Sequence, residues 1–299
     1  MAIDKFIPEL WSAAIQVPYQ KALVFGQPQV ANREYEGQLR QQGDTVHVSS
    51  IQDPTIRTYD KTTDLVTEDL SDSSTALVVN QGSYFSFRVN DVDEVQAAGN
   101  FESPALAQAG YGLRDEADAF IAALFTEAVA SGGPIAANRL GAINVLDDDP
   151  RNVSTGQASA YQVLVKLREA LDNQSVPLEG RYVVVDPGFV SALLMDKRYT
   201  DLSASGSTDA LLNGQVGRGA GFEVLVSNNL PGTGGAKTIC AGVPGALSFA
   251  DQINKTEALR EQNRFADIVR GLNIYGAKIF RRNGVATADV TLVGGGFGS

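Results

Sequence analysis

The stretch that decides the fold runs from residue 101 to residue 134 and reads FESPALAQAGYGLRDEADAFIAALFTEAVASGGP. Ser103 and Pro104 are typical of a helix start, since serine accepts hydrogen bonds from free backbone amides and proline suits the first helical position. Apolar side chains then recur at spacings of three and four residues, as on one helix face: Leu106, Ala109, Leu113, Ala117, Phe120, Leu124 and Ala128. Gly132 and Gly133 predict its end. The pattern predicts an alanine-rich helix on the order of 40 Å long, a structural spine.

Residues 1–42, upstream of this helix, read as an extended arm that contains a short helix. Pro8 suits a first helical position, and an apolar stripe follows it until Pro18 interrupts the pattern. The arm then becomes polar, so we expect it to lie on other parts of the protein.

Residues 43–89 show the period-two pattern of strands at both ends and a polar stretch between them. Apolar and polar side chains alternate in residues 46–48 and again in residues 85–89. Residues 44–72 carry seven carboxylates and only two basic side chains. A long two-stranded excursion with so little apolar content cannot stabilise itself in water. The sequence therefore predicts that this excursion lies on another surface.

Downstream of the long helix, helix and strand signals alternate. Asp186 and Pro187 are typical of a helix cap and first turn, and Asn283-Gly284 is a strong hairpin signal between two long strands. The predicted helices are 158–171 and 187–195, and the predicted strands are 181–185, 222–227, 269–280 and 286–293. Residues 203–221 are rich in glycine, serine and asparagine and predict a mobile loop. No internal repeat is apparent.

Composition excludes several classes of protein. The 299 residues are 43% hydrophobic and 20% charged, as in a soluble, folded protein of one large domain or two. No apolar run reaches the roughly 18 residues of a membrane span, and the N-terminus is unlike a signal peptide. The chain has one cysteine and one histidine. It therefore has no intrachain disulfide, cysteine-rich zinc site or histidine-based metal cluster, and we expect it to be made in the cytoplasm.

The net charge of −11 is unevenly distributed. Residues 1–150 carry nine basic and 22 acidic side chains, whereas residues 151–299 carry 15 basic and 13 acidic ones. Sequence-specific DNA binding favours a basic face, so this pattern argues against it. Two interpretations stay open: self-association between unlike regions, and a solvated acidic surface.

Each apparent catalytic or ligand motif fails at a named residue. Residues 231–238 resemble a phosphate-binding loop, but Pro231 and Ala236 stand where that motif needs glycine. His47 and Ser49 are two residues apart on a predicted strand with no serine elbow nearby. The acidic residues 147–149 lack calcium-loop spacing and read as an exposed turn. The sequence predicts no catalytic residue, cofactor or metal, and hence no enzyme.

The order of these elements, together with six short stretches, carries a resemblance to a known family. The stretches are PELWS at 8–12, NREYEG at 32–37, GDTV at 43–46, SNNLP at 227–231, FADQI at 249–253 and VRGLNIYGAK at 269–278. The chain resembles the major capsid proteins of tailed bacteriophages, which have the Hong Kong 97-type fold. The resemblance implies an α+β fold and covers essentially the whole chain.

The resemblance also implies a domain organisation and a function. Residues 1–42 would be the N-arm, 43–89 the extended E-loop, 90–133 with 246–299 the peripheral domain, and 134–245 the axial domain. The chain would assemble as hexamers and pentamers into an icosahedral phage head around double-stranded DNA. It would be assembled in the host cytoplasm and reside in the virion.

The resemblance further implies partners. The predicted spine begins only about a hundred residues into the chain, which favours a separate scaffolding protein. A portal, a decoration protein and DNA held without sequence-specific binding complete the expected set, with no membrane. Lys61 lies where some relatives place an isopeptide-forming lysine, and an ordinary exposed loop lysine is the alternative.

We expect the acidic E-loop to dock on basic residues of an adjacent subunit. The loop residues are Asp60, Lys61, Asp64, Glu68, Asp69 and Asp72, and the expected basic partners are Arg260, Arg264 and Arg270. Two other functions stay open: an encapsulin-like nanocompartment shell, and a small-molecule enzyme that uses the glycine-rich residues 203–237.

Overall fold

The computed structural model describes residues 20–21, 23–34, 45–51, 54–59, 61, 64, 67–69, 72–90, 102–130, 139–146, 157–196, 199, 217–232, 235–261 and 266–293. Its helices are α1 (Glu102–Ala130), α2 (Ala160–Asn173) and α3 (Pro187–Met195). Its first six strands are β1 (Thr45–Ile51), β2 (Asp72–Val78), β3 (Gln81–Asn90), β4 (Arg139–Leu146), β5 (Gln157–Ala158) and β6 (Tyr182–Val185). The other six are β7 (Arg218–Gly219), β8 (Phe222–Val226), β9 (Ala236–Gly242), β10 (Leu247–Arg260), β11 (Ala266–Ile279) and β12 (Val285–Val293).

The largest sheet is mixed and has the strand order β5-β4-β12-β9-β6-β8-β7. Its centre is buried on both faces, as the continuous apolar run of β6 predicts. Val183 and Val185 belong to one hydrophobic cluster, which contains α2 and α3. Tyr182 and Val184 belong to a second cluster, which contains α1 and residues 24–31 of the arm. The sheet therefore lies between two apolar layers.

Helices α2 and α3 begin where local sequence signals place them. Ser159 and Gln162 form a capping box, in which the Gln162 amide donates to Ser159 Oγ at 3.2 Å and Gln162 Oε1 accepts from the Ser159 amide at 3.0 Å. Asp186 caps α3 by accepting from the Gly188 amide at 3.0 Å. The predicted cap at Asp186 and the end of α3 at Met195 are confirmed.

Helix α1 has 29 residues, and the prediction of one long helix is confirmed. It begins at Glu102, so Ser103 lies inside the helix rather than at its cap. Its core-facing side chains are Leu113, Ala117, Asp118, Ile121, Ala122 and Phe125, whereas Phe120 and Leu124 are only partly buried. The buried face is thus rotated by about a quarter of a turn from the predicted stripe. Because alanine occurs on several sides of this helix, the sequence alone does not show which side is buried.

The strands at the two ends of the polar excursion belong to the two smaller sheets. Strands β1 and β2 form an antiparallel pair from Thr45 opposite Val78 to Ile51 opposite Asp72. Strand β3 belongs to a separate three-stranded sheet of order β10-β11-β3. The chain passes between the two sheets at Val79, which is buried with neighbouring apolar side chains. The strand predicted at 85–89 therefore pairs with β11 rather than with β1.

The predicted hairpin at Asn283-Gly284 is wrong. Strand β11 pairs with β10 and β3, whereas β12 pairs with β4 and β9, so the turn joins two different sheets. A two-residue hairpin needs positive φ at its central residues, and neither residue has it. Gly284 is required for close packing instead, since a Cβ there would approach the Ala246 Cβ to 3.0 Å.

Strand β12 lies in the large sheet between β4 and β9, which are formed by residues 139–146 and 236–242. The division of the chain into axial and peripheral domains remains a proposal. The predicted arm helix at residues 8–17, the acidic turn at 147–150 and most of the glycine-rich loop at 203–216 lie outside the described residues.

We expect Gly276→Ala to lower the free energy of unfolding by about 1–3 kcal/mol. A Cβ at this position of β11 would lie 2.5 Å from the Val78 carbonyl oxygen, so the base of the β1–β2 pair would have to shift. Gly112→Ala is the matched control, because a Cβ in the middle of α1 meets nothing within 4 Å. The control should gain about 0.5–1 kcal/mol. Urea unfolding of both variants measures the difference, and equal effects would contradict the steric explanation.

Candidate assembly surface

A buried carboxylate on α1 holds the arm against the body of the protein. Asp118 is 2% exposed, and its Oδ1 accepts hydrogen bonds from the backbone amides of Phe25 at 2.7 Å and Gly26 at 3.2 Å. Its Oδ2 accepts from the Asn229 side-chain amide at 2.9 Å. One side chain therefore joins α1, the arm and the turn that follows β8.

Two further side chains extend this network toward the surface. Asp115, one turn earlier on α1, accepts from the same Asn229 amide at 2.8 Å and forms a 2.9 Å ion pair with Lys21 of the arm. The Tyr111 hydroxyl lies on the next turn and accepts from the Lys21 amide at 3.0 Å. The network therefore follows one edge of α1 for about two turns. We call Lys21, Tyr111, Asp115, Asp118 and Asn229 the arm clamp.

The electrostatics of the arm clamp centre on Asp118. Burial raises the pKa of this carboxyl above its usual 3.8, because the charged form loses solvation. Hydrogen bonds from Asn229 and from the backbone of Gly26 and Phe25 oppose that shift by favouring the charged form. Desolvation is the larger effect.

Apolar and aromatic contacts hold the same arm segment. Phe25 is fully buried, and its ring centroid lies 5.7 Å from that of Phe125 on α1. Asn32 pairs with the first residues of β10, donating to the Leu247 carbonyl at 2.8 Å and accepting from the Phe249 amide at 3.0 Å. The two ends of this segment, Val24-Phe25 and Val30-Ala31, are therefore part of the core.

The polar loop, which we define as residues 52–71 between β1 and β2, is exposed wherever it is described. Lys61, Asp64, Glu68 and Asp69 are all exposed, and Asp60 lies outside the described residues. Asp72 is opposite Ile51 at the end of the β1–β2 pair.

Glu68 has partners within its own loop. Its carboxylate lies 3.5 Å from the Arg57 guanidinium and accepts a hydrogen bond from the Thr55 amide. Glu68 therefore fixes the conformation of residues 55–57.

The predicted basic partners lie on the three-stranded sheet, where two of them are described. Arg260 pairs with Asp267 at 3.1 Å, and Arg270 pairs with Glu257 at 2.7 Å, both across the β10–β11 hairpin. Arg264 lies outside the described residues. The acidic partners that the structure gives Arg260 and Arg270 belong to their own hairpin, not to the polar loop. Both described arginines already have an acidic partner.

The glycine-rich segment that resembles a phosphate-binding loop closes on itself. The Thr238 amide donates to the Pro231 carbonyl at 2.8 Å. A Cβ on Gly232 would overlap the Ala236 carbonyl oxygen. Gly232 and Ala236 are therefore packed directly against each other in this turn.

Other reactive groups are buried or dispersed. Cys240 is fully buried, and burial raises its pKa far above the usual thiol range. His47 lies exposed on β1. Within the described residues, no three acidic, histidine or cysteine side chains group as a metal site. Among the helices of that same part of the chain, none is long and apolar enough to span a membrane.

The fold is that of solved virus shells. A structure from Mycobacterium phage Che8 is 28% identical, covers 96% of this chain and 98% of its own, and has a TM-score of 0.76. The capsid of cyanophage P-SCSP1u is 15% identical, with 98% and 95% coverage and a TM-score of 0.75. The mature capsid of bacteriophage PhiM1 is 14% identical, with 96% and 93% coverage and a TM-score of 0.70. No curated protein matches the chain.

These matches define the class of protein as a structural component of phage shells. The chain belongs to the phage capsid protein family, whose model matches residues 71–288. It is a major capsid protein, as the sequence predicts, and its place is the virion. Membership of a structural family also points away from the small-molecule enzyme.

Sequence reasoning missed the arm clamp. Asn229 lies in the SNNLP stretch that carried the family resemblance, but nothing indicated its partner. The available signal is Asp118 itself, an acid between Ala117 and the apolar run that begins at Phe120. An acid at this position either lies on the solvent-exposed face of the helix or lies on the buried face and accepts hydrogen bonds there. Only the tertiary structure distinguishes them.

We expect Asp118→Ala to lower the free energy of unfolding by about 2–4 kcal/mol. The change leaves two backbone amides without their acceptor in a buried site, and the Asn229 side-chain amide keeps only its hydrogen bond to Asp115. Glu116→Ala on the exposed side of the same helix should stay within about 0.5 kcal/mol of the original. Chemical denaturation measures both. A loss at Asp118 no larger than that at Glu116 would show that the arm clamp does not stabilise the fold.

The raised pKa of Asp118 predicts a pH dependence. Its contribution to stability is fully present below the ordinary value of 3.8 and is lost as pH rises through the folded-state pKa. Asp118→Asn removes this titration, whereas the nearby Asp115 and Lys21 are present in both proteins. We therefore expect the original chain to lose stability relative to Asp118→Asn as pH rises above the ordinary carboxyl pKa of 3.8. Unfolding curves at several pH values measure this difference, and the opposite slope would contradict it.

Proposed function

We propose that this major capsid protein has the Hong Kong 97-type α+β architecture and builds an icosahedral head of hexamers and pentamers around double-stranded DNA. In this proposal α1 is the spine helix of a peripheral domain at residues 90–133 and 246–299. The axial domain spans residues 134–245, the N-arm residues 1–42 and the E-loop residues 43–89.

The observation that carries the proposal is the exposure of the polar loop. Every described side chain from residue 54 to residue 69 is exposed, including Ile56 at 96% and Tyr59 at 72%. A segment without apolar cover from its own chain gains little by being ordered in a monomer. Docking on a second copy would supply that cover. The E-loop is therefore the natural contact between subunits.

The ionic part of the docking remains a proposal. The exposed Asp64 and Asp69 join Asp60, Lys61, Glu68 and Asp72 as the loop side, and Arg260, Arg264 and Arg270 are the receiving side. Arg260 and Arg270 each have an acidic partner in their own hairpin. A docking loop would therefore extend existing ion pairs. Exposed pairs contribute only about 0–1 kcal/mol each, and repetition over a closed shell multiplies that contribution.

The proposed role includes no catalysis and no cofactor. The acidic chain, with a net charge of −11, attracts DNA weakly, so the genome would be held by confinement. A separate scaffolding protein, a portal and a decoration protein are proposed partners, and assembly would take place in the host cytoplasm.

We expect a chain without the polar loop to fold but to form no shells. Ile51 and Asp72 are directly opposite in the β1–β2 pair, so an Asn-Gly turn can replace residues 52–71 without changing the strand register. Electron microscopy should show closed particles tens of nanometres across for the original chain and none for the shortened one.

Circular dichroism and thermal unfolding should be alike for the two chains. Closed shells from the shortened chain would contradict the role of the loop. Failure of the original chain to form shells with its scaffolding partner would contradict the proposed function itself.

A further inference from the structure

We propose that a basic cavity at one end of the seven-stranded sheet binds a small phosphate monoester, a ligand of the size of a nucleotide. The cavity has a volume of about 920 Å³ and lies where three turns of the chain meet. These turns are residues 174–179 between α2 and β6, 243–245 between β9 and β10, and 281–284 between β11 and β12. The inference goes beyond the proposed function, since shell assembly does not require such a ligand.

The charge of the cavity is opposite to that of the chain as a whole. Among the described residues that line it, the basic side chains are Lys278, Arg281 and Arg282, and the acidic one is Glu179. The described lining therefore has a net charge of +2, whereas the whole chain has −11. A cleft lined by one sign of charge and by walls of low dielectric concentrates ions of the opposite sign. The cavity therefore attracts anions although the protein is acidic.

Two of these cations have no acidic partner among the described residues. Lys278 donates to the Ala76 carbonyl oxygen at 2.8 Å, and this acceptor carries no full charge. The Arg281 side chain is exposed, and no described carboxylate forms an ion pair with it. Arginines elsewhere in the described chain form such pairs, for example Arg139 with Asp289 at 2.9 Å. Lys278 and Arg281 are therefore available to an anion from outside the chain.

The apolar lining of the cavity belongs to three separate hydrophobic clusters. Val176 packs against the cluster that contains α2 and α3, and Ile279 is part of the cluster that contains α1 and the arm. Phe280 packs against the small cluster at the base of the β1–β2 pair. A ligand in this cavity would contact all three clusters. Because it would bind only the folded chain, it would raise the stability of the fold.

The net charge of the lining favours a phosphate monoester over other anions. A phosphate monoester carries a charge of about −1.5 to −2 at neutral pH, which offsets the +2 of the lining. A carboxylate, a chloride ion or one phosphate of a nucleic-acid backbone carries only −1. Guanidinium groups also bind phosphate oxygens through paired hydrogen bonds, which suits Arg281 and Arg282.

The volume of the cavity favours a phosphate ester over the bare ion. About 920 Å³ corresponds to about thirty water molecules at roughly 30 Å³ each, so the organic part of an ester has room beside the phosphate. Gln174, Ser175 and Asn283 also line the cavity and offer amide and hydroxyl groups. These groups can form hydrogen bonds with a sugar or another polar organic part.

Calorimetric titration of the full chain with adenosine monophosphate tests the site. Sodium chloride keeps the ionic strength constant, so that charge screening is not counted as binding. Arg281→Gln removes a cation from the cavity. Gly245→Glu adds an acid to it, at a position where a Cβ meets nothing within 4 Å. The matched control is Arg218→Gln, which removes the same charge from an exposed position outside the cavity.

We expect saturable binding that is weakened about tenfold by Arg281→Gln and by Gly245→Glu and is unchanged by Arg218→Gln. The ligand should also raise the unfolding temperature of the original chain. Equal losses of affinity in Arg281→Gln and Arg218→Gln would overturn the inference, because only the overall charge would then matter. Absence of binding by the original chain would also overturn it. Thermal unfolding without ligand shows that each variant is folded.

Two further probes identify the kind of phosphate. Inorganic phosphate should displace adenosine monophosphate only at higher concentration, since it lacks the organic part. A short DNA duplex should displace it poorly, since each backbone phosphate carries a single charge. A duplex that binds more tightly than adenosine monophosphate, with the same loss in Arg281→Gln, would overturn the monoester assignment in favour of a nucleic-acid contact. These measurements do not depend on shell formation, so their failure would leave the proposed function intact.

Discussion

The centre of the seven-stranded sheet is buried on both faces, and the rest of the architecture follows from the need to cover it twice. Helices α2 and α3 cover one face with a stripe of leucine and valine. The other face is covered by α1 together with a short piece of the arm. Within this layer, the Asp118 carboxylate accepts hydrogen bonds from the arm backbone. A polar contact thereby completes an apolar core.

The local signals of the sequence were sufficient to place the starts of α2 and α3, where one turn of chain determines the outcome. Ser159 and Asp186 cap their helices because a side chain reaches amides only two or three residues away. The prediction of a hairpin at Asn283-Gly284 is wrong because the strands on either side of it pair in different sheets. That choice depends on β4 and β9, which are far away in sequence. A local pattern cannot contain this information.

The same distinction applies to the assembly surface. The sequence predicts a polar loop with little apolar content, and the described residues of that loop are exposed. It named Arg260 and Arg270 from their proximity in sequence, but their pairing with Asp267 and Glu257 depends on strand register. The sequence pattern did not single out Ile56 and Tyr59, which are isolated apolar residues in a polar stretch and are exposed in the structure. Exposure, not residue type, distinguishes them.

The polar loop and the three-stranded sheet, which we propose to meet between subunits, belong to the same chain but differ from each other in shape and chemistry. A contact between them is heterologous, so two copies joined this way still leave one loop and one sheet face unoccupied. Each added copy covers one free surface and exposes another, so an open row of copies always ends in one free loop and one free sheet face. Only closure of the ring satisfies every loop, and the number of copies in that ring is set by the angle between neighbours. A modest change in this angle would let one surface pair serve rings of different size.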